Sequence, residues 1–200
     1  DNLPMGDPNT NASQAELGTS SPESGKLVPV HPTGNFMMAH PAHVMALGFG
    51  SGLSPFAPGT SGTLWAWAIF VLLQDKLTES QWGWLITISL VGGWWACSLT
   101  EKHMRVLDPS SIVWDEVVAF WLVLWLISPT SFLGQAVAFA LFRFFDAVKP
   151  GPVSWADKLF HKVDPATDTN AWRKAGAGIM LDDVVAAGCT LLVVAIWRAW

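Results

Sequence analysis

An all-α, compact multi-helix bundle integrated into a membrane is the architecture this sequence predicts, on three observations. Hydrophobic residues make up 51% of the 200-residue chain and charged residues only 14%, against roughly 25% charged in ordinary soluble domains. Five apolar runs, 62–73, 82–99, 117–127, 132–145 and 184–200, are each too long for an ordinary strand. Proline and glycine cluster between these runs, where helices end. Most runs fall short of the roughly 20 residues that span a bilayer unaided; polar flanks, tilt or re-entrant helices would account for this, and a soluble helical bundle is the alternative. A net charge of −5 without a basic cluster gives no nucleic-acid footprint. Cys97 and Cys189 each sit inside an apolar run and read as buried thiols.

Taken in order, residues 1–35 are rich in Asn, Ser, Thr, Gly and Pro without periodicity, and predict a disordered tail before a helical domain over 36–200. The first long helix is entered through "GFGSGLSPFAPGTSGT", residues 48–63. Its free backbone N–H groups suit a phosphate, with Ser54 and Thr60 as side-chain donors. The alternative is a tight turn in which Thr60 or Ser61 caps the helix. The loop lacks the Gly-Lys-Ser/Thr ending of a nucleotide P-loop.

The third helix opens on "SIVWDEVVAF", which sets Asp115 and Glu116 in its first turn. Acids there also complement the helix dipole, a purely structural alternative. The fourth closes on "FRFFDAVKPGP": Arg143 and Asp146, three apart, share a helical face, and Lys149 precedes the Pro150 that stops the helix. Arginine clamps two phosphate oxygens and lysine adds a point charge, so Arg143 and Lys149 are candidate phosphate ligands, against a plain helix-end salt bridge. In "PVSWADKLFHKV", Trp155, Leu159, Phe160 and Val163 share one face opposite Asp157, Lys158, His161 and Lys162, while Val153 fits that face poorly. Such a helix suits either an anionic lipid surface or the core. The last run begins at Asp182 and Asp183. The five histidines show no ligand spacing, and no Gly-x-Ser-x-Gly elbow is present.

Connecting the runs as antiparallel helices puts the links 74–81 and 128–131 on one side. The other side then holds Lys102, Arg105, Arg143, Lys149, Lys158, Lys162, Arg173 and Lys174, against only Lys76 and Arg198. That excess marks the second side as cytoplasmic, with Trp82, Trp84, Trp125, Trp197 and Trp200 forming a belt at the opposite interface. The same topology brings Asp115, Glu116, Arg143, Asp146, Asp182 and Asp183 to the cytoplasmic mouth. So many carboxylates demand a cation, and all-oxygen ligands favour Mg²⁺ over Zn²⁺.

"GFGSGLSPFAPGTSGT", "DPSSIVWDEVV", "FALFRFFDAVKPGP" and "GAGIMLDDVVAAG", in this order, resemble the phosphatidylglycerophosphatase A family from about Gly48 to Gly188. The resemblance implies a Mg²⁺-dependent helical enzyme of the cell inner membrane, its active site on the cytoplasmic face. Its anionic phospholipid substrate would be phosphatidylglycerophosphate, from which the terminal phosphate is removed to give phosphatidylglycerol. The matching acids, with metal-binding and catalytic roles, are Asp115, Glu116, Asp146, Asp182 and Asp183; the matching cations are Arg143 and Lys149, and Asp157 also fits an acidic position. Residues 163–175 look like an insertion. A small cation transporter with clustered carboxylates is the competing reading. Oligomeric state is not legible in the sequence.

Overall fold

A computed structural model describes residues 28–160, 168 and 170–200, with 157–160 by their backbone alone. The expected tail lies outside the described residues up to residue 27, as do residues 163–167 and 169 of the apparent insertion and the side chain of Asp157. Two short helices, α1 (Gly34–Met38) and α2 (Pro41–Ala46), precede a 3₁₀ segment, Gly48–Leu53. Then come α3 (Pro58–Leu73), α4 (Glu79–Met104), α5 (Trp114–Ile127), α6 (Phe132–Val148), α7 (Pro152–Phe160) and α8 (Ala171–Ala199). Among the described residues there is no strand.

Local chemistry sets the boundaries. Thr78 and Gln81 form a capping box at α4, and the Ser131 hydroxyl accepts the Gly134 N–H at α6. At α3 the expected hydroxyl cap is absent: Pro58 is the first helical residue, after Ala57 in a left-handed conformation. Proline suits that first position because its missing N–H would have no helical partner there.

α5 is the innermost helix. Val117, Val118, Phe120, Val123 and Leu124 are wholly buried, and α3, α4, α6 and α8 all pack on it. Its 14 residues reach about 21 Å, short of a roughly 30 Å hydrocarbon core. α4 and α8 are long and apolar enough to cross a membrane by length and composition. They run antiparallel and very close: a Cβ on Gly176 would lie 2.3 Å from Ser98 Oγ and 2.9 Å from its backbone nitrogen. α8 runs parallel to α5, and Arg198 near its end donates to the Ile127 carbonyl at 2.7 Å.

Three sequence expectations change here. Trp82 lies in the core against Phe70 and Trp121, not at an interface, whereas Trp84, Trp197 and Trp200 are exposed. α7 turns Val153 and Ala156 inward and leaves Trp155 exposed, so the small residues make the close approach to α8. Finally, α8 starts at Ala171, which places Asp182 and Asp183 about three turns inside it. A helix-dipole role for that pair is excluded, because the dipole acts within the first turn.

Candidate active site

The chain folds back after α4, and that return makes the site. Trp114, at the start of α5, packs against Gly93 of α4, where an added Cβ would sit 2.5 Å from its ring. Gly93 is roughly 16 Å before the end of α4. The segment between Met104 and Trp114 therefore re-enters the bundle, and the acids of α5 lie recessed rather than at a helix mouth. Val113 N–H bonds the Ala46 carbonyl at 3.0 Å. Gly52 holds the other flank, where a Cβ would meet the Ser111 carbonyl oxygen at 2.0 Å.

In this recess is a cavity of about 260 Å³, lined by Asp115, Glu116, Arg143, Asp146, Lys149, Asp182 and Asp183 among others. Five acids (Asp115, Glu116, Asp146, Asp182 and Asp183) and both cations singled out by pattern thus meet at one place. Asp115 and Asp183 are buried. Arg143 Nη1 bridges Glu116 Oε1 at 3.1 Å and Asp146 Oδ2 at 2.5 Å. Lys149, held left-handed at the end of α6, reaches Asp182 Oδ2 at 2.6 Å. These pairs neutralise part of the charge. They leave Asp115 Oδ1, Glu116 Oε2 and Asp183 Oδ2 buried without a hydrogen-bond partner.

Orphaned buried carboxylate oxygens are costly and need a cation or proton. One oxygen each from Glu116, Asp146 and Asp183 lies within 4.8 Å of the others, close enough to share one ion. A set made only of carboxylate oxygens suits a hard divalent metal.

Two expected phosphate ligands fall elsewhere. The Ser54 hydroxyl donates to the Phe56 carbonyl at 2.8 Å, and neither Ser54 nor Thr60 lines the cavity. The loop supplies Ala57, Pro58 and Gly59 to the wall instead. Its glycines serve close packing: a Cβ on Gly59 would fall 2.0 Å from Glu116 Oε1. Asp108, Ser110 and Ile179 also line the cavity and were not foreseen. The Asp-Pro pair in "DPSSIVWDEVV" was the available signal for a turn there. His40, His43 and His103 cluster as well, with His43 Nε2 2.8 Å from His103 Nδ1, but none lines this cavity.

Hard oxygen donors interleaved with an arginine and a lysine suit an enzyme of phosphate chemistry, where stabilising charge is the main task. The family model for phosphatidylglycerophosphatase A matches residues 44–198. The chain belongs to that family and is a phosphatase. It is 36% identical over 152 residues to a protein named phosphatidylglycerophosphatase A from Escherichia coli strain K12, covering 74% of this chain and 78% of that one. A Haemophilus influenzae protein of the same name is 36% identical over 170 residues, 85% of this chain and 96% of its own length. A Bacteroides thetaiotaomicron protein named "Putative phosphatidylinositol-3-phosphatase" is 34% identical over 161 residues, 78% of this chain and 92% of its own. No solved structure matches the chain. The transporter reading gives way to this membership.

Proposed function

We propose that this chain hydrolyses the terminal phosphate monoester of phosphatidylglycerophosphate, giving phosphatidylglycerol and inorganic phosphate, with Mg²⁺ held by Glu116, Asp146 and Asp183. The observation that carries the proposal is the meeting of five acids, Arg143 and Lys149 in one small recess. A volume of about 260 Å³ admits on the order of ten heavy atoms at roughly 30 Å³ each. That is the size of a glycerol phosphate group and far below that of two acyl chains, so the tails stay in lipid. A bound divalent cation would supply Lewis-acid neutralisation of the phosphoryl oxygens.

Arg143 and Lys149 carry the N–H donors that a phosphate dianion requires, and their pairing with Glu116, Asp146 and Asp182 fixes where those donors point. Asp115, buried among these acids, either activates the attacking water or attacks phosphorus itself. Trapping an aspartyl phosphate and mapping it decides between the two.

Purified protein should release phosphate from phosphatidylglycerophosphate, lose this activity on chelation and regain it with Mg²⁺. Phosphatidylinositol 3-phosphate belongs in the same assay, given the name of the third relative. Full turnover after exhaustive metal removal would refute the metal assignment, and no release from the first lipid would refute the substrate.

The Lys/Arg excess supports an inner-membrane protein with its site facing the cytoplasm. Asn170 is exposed and precedes α8. An Asn170→Cys variant, compared with wild type as the blank, should escape a membrane-impermeant maleimide in intact cells and react after permeabilisation. Labelling from outside would reverse the orientation.

A further inference from the structure

One buried acid takes no part in the cavity described above. Glu101, in the last turn of α4, is wholly buried, and among the described residues no cation pairs with it. Its Oε1 accepts the Asp108 N–H at 2.9 Å, while Oε2 is buried without a partner. Its carbonyl accepts the Arg105 N–H that ends the helix and the Val106 N–H at 3.3 Å. Glu101 thus grips the returning chain at three points. A carboxylate at such a position is a poor choice for stability, since a buried charge without a counter-charge is penalised.

The gripped segment is itself unusual. Arg105 and Asp108 both adopt left-handed backbone, with φ of +57° and +49°, a conformation uncommon outside glycine and stable only where surrounding contacts impose it. The turn leads straight into the cavity wall, to which Asp108 and Ser110 both contribute. Unlike the buried Asp115, Asp182 and Asp183, these two residues are exposed. They stand at the entrance, one step outward from the phosphate-handling groups.

We propose that Glu101 is a positioning residue that holds Asp108 and Ser110 at the cavity entrance to hydrogen-bond the hydroxyl-bearing glycerol of the substrate head group. The proposal rests on the substrate reading given above. When the terminal phosphate sits between Arg143 and Lys149, the next group outward is the glycerol joining the two phosphates. Its free hydroxyl is a donor, which a carboxylate at Asp108 accepts and a serine hydroxyl accommodates. A lipid whose phosphate is not attached through a hydroxylated linker would lack this contact.

The test separates head-group contact from general structure. Three variants, Glu101→Met, Glu101→Gln and Asp108→Asn, are compared for kcat and KM on phosphatidylglycerophosphate, for inhibition by inorganic phosphate, and for Tm. Asp108→Asn keeps the left-handed turn, which asparagine tolerates, but weakens the acceptor. It should raise KM about tenfold with kcat within about threefold, and leave the inhibition constant of inorganic phosphate unchanged. Glu101→Met, which removes the side-chain bond to the Asp108 N–H and leaves the two backbone bonds, should do the same. Glu101→Gln keeps the oxygen that accepts the Asp108 N–H and loses the buried charge; it should restore KM to within about twofold of wild type with an equal or higher Tm.

An unchanged KM in Asp108→Asn overturns the proposal. So does an equal weakening of phosphate inhibition, which would mean general damage, or a Glu101→Gln variant that is folded yet as impaired as Glu101→Met. If Glu101→Met does not fold, the other two variants decide. Failure of the wild-type protein to release phosphate from this lipid would instead fall on the substrate reading.

Discussion

Asp183→Asn is expected to lower phosphate release at least about a hundredfold, about 2.7 kcal/mol of barrier, while the metal-free protein becomes no less thermostable. The two effects point in opposite directions for one reason. Asp183 is buried and crowded by Glu116 and Asp146, each offering an oxygen within 4.8 Å of the others. Without a cation these charges repel, so removing one relieves the fold. In the proposed reading they are the ligands of a cation, and an amide is a weaker one. Asp182→Asn should be less severe in metal dependence but should weaken the charged bond that Lys149 makes to it at 2.6 Å. Asp168→Asn is the control: its pair with Lys174 is solvent-accessible and far less able to affect chemistry. Near-wild-type turnover in both Asp182→Asn and Asp183→Asn would remove the acidic pair from the mechanism.

Gly59→Ala should cost a comparable amount without altering any charge. Helix propensity alone favours the change, by less than the roughly 1 kcal/mol of a helix interior, because Gly59 lies in the first turn of α3. Contact outweighs it. The new Cβ would stand 2.0 Å from Glu116 Oε1 and 2.8 Å from its Cδ, so the carboxylate must retreat by more than an ångström. Displacement on that scale costs about a hundredfold where groups must be held in place for reaction. The accompanying Glu116→Asp change shortens the side chain by one methylene, and Gly59→Ala/Glu116→Asp should recover part of the loss relative to Gly59→Ala. Unimpaired turnover in Gly59→Ala would show that Glu116 has room to move, and that its position is not what the site requires.

Helical class and the identity of the cavity's acids and cations were legible in the sequence because both are local properties. An apolar run of 11 or more residues with few breaks has one economical backbone, and adjacent carboxylates at the head of such runs, as at Asp115–Glu116 and Asp182–Asp183, are conspicuous against their surroundings. Chain direction alone was enough to send most of these groups toward one end. Local pattern failed where small or polar residues carried the structure. The stretch "AWRKAGAG" at the start of α8 has no apolar stripe. It is helical because its glycines let α8 approach α4, and that approach exists only when both helices are present.

Tertiary structure alone decided how deep the site lies and what encloses it. The 48–63 loop suggested phosphate contacts at Ser54 and Thr60, yet folding turned Ser54 back on its own loop and used Gly59 to seat Glu116. No periodicity could place Asp108, because its position depends on one hydrogen bond from its N–H to Glu101, seven residues earlier, and on a backbone conformation held by packing. The chain's own chemistry chose the charges of the site. Their distances were set by close contacts between segments far apart in sequence, such as Gly59 with Glu116 and Gly93 with Trp114, and a linear pattern contains no information about a steric fit of that kind.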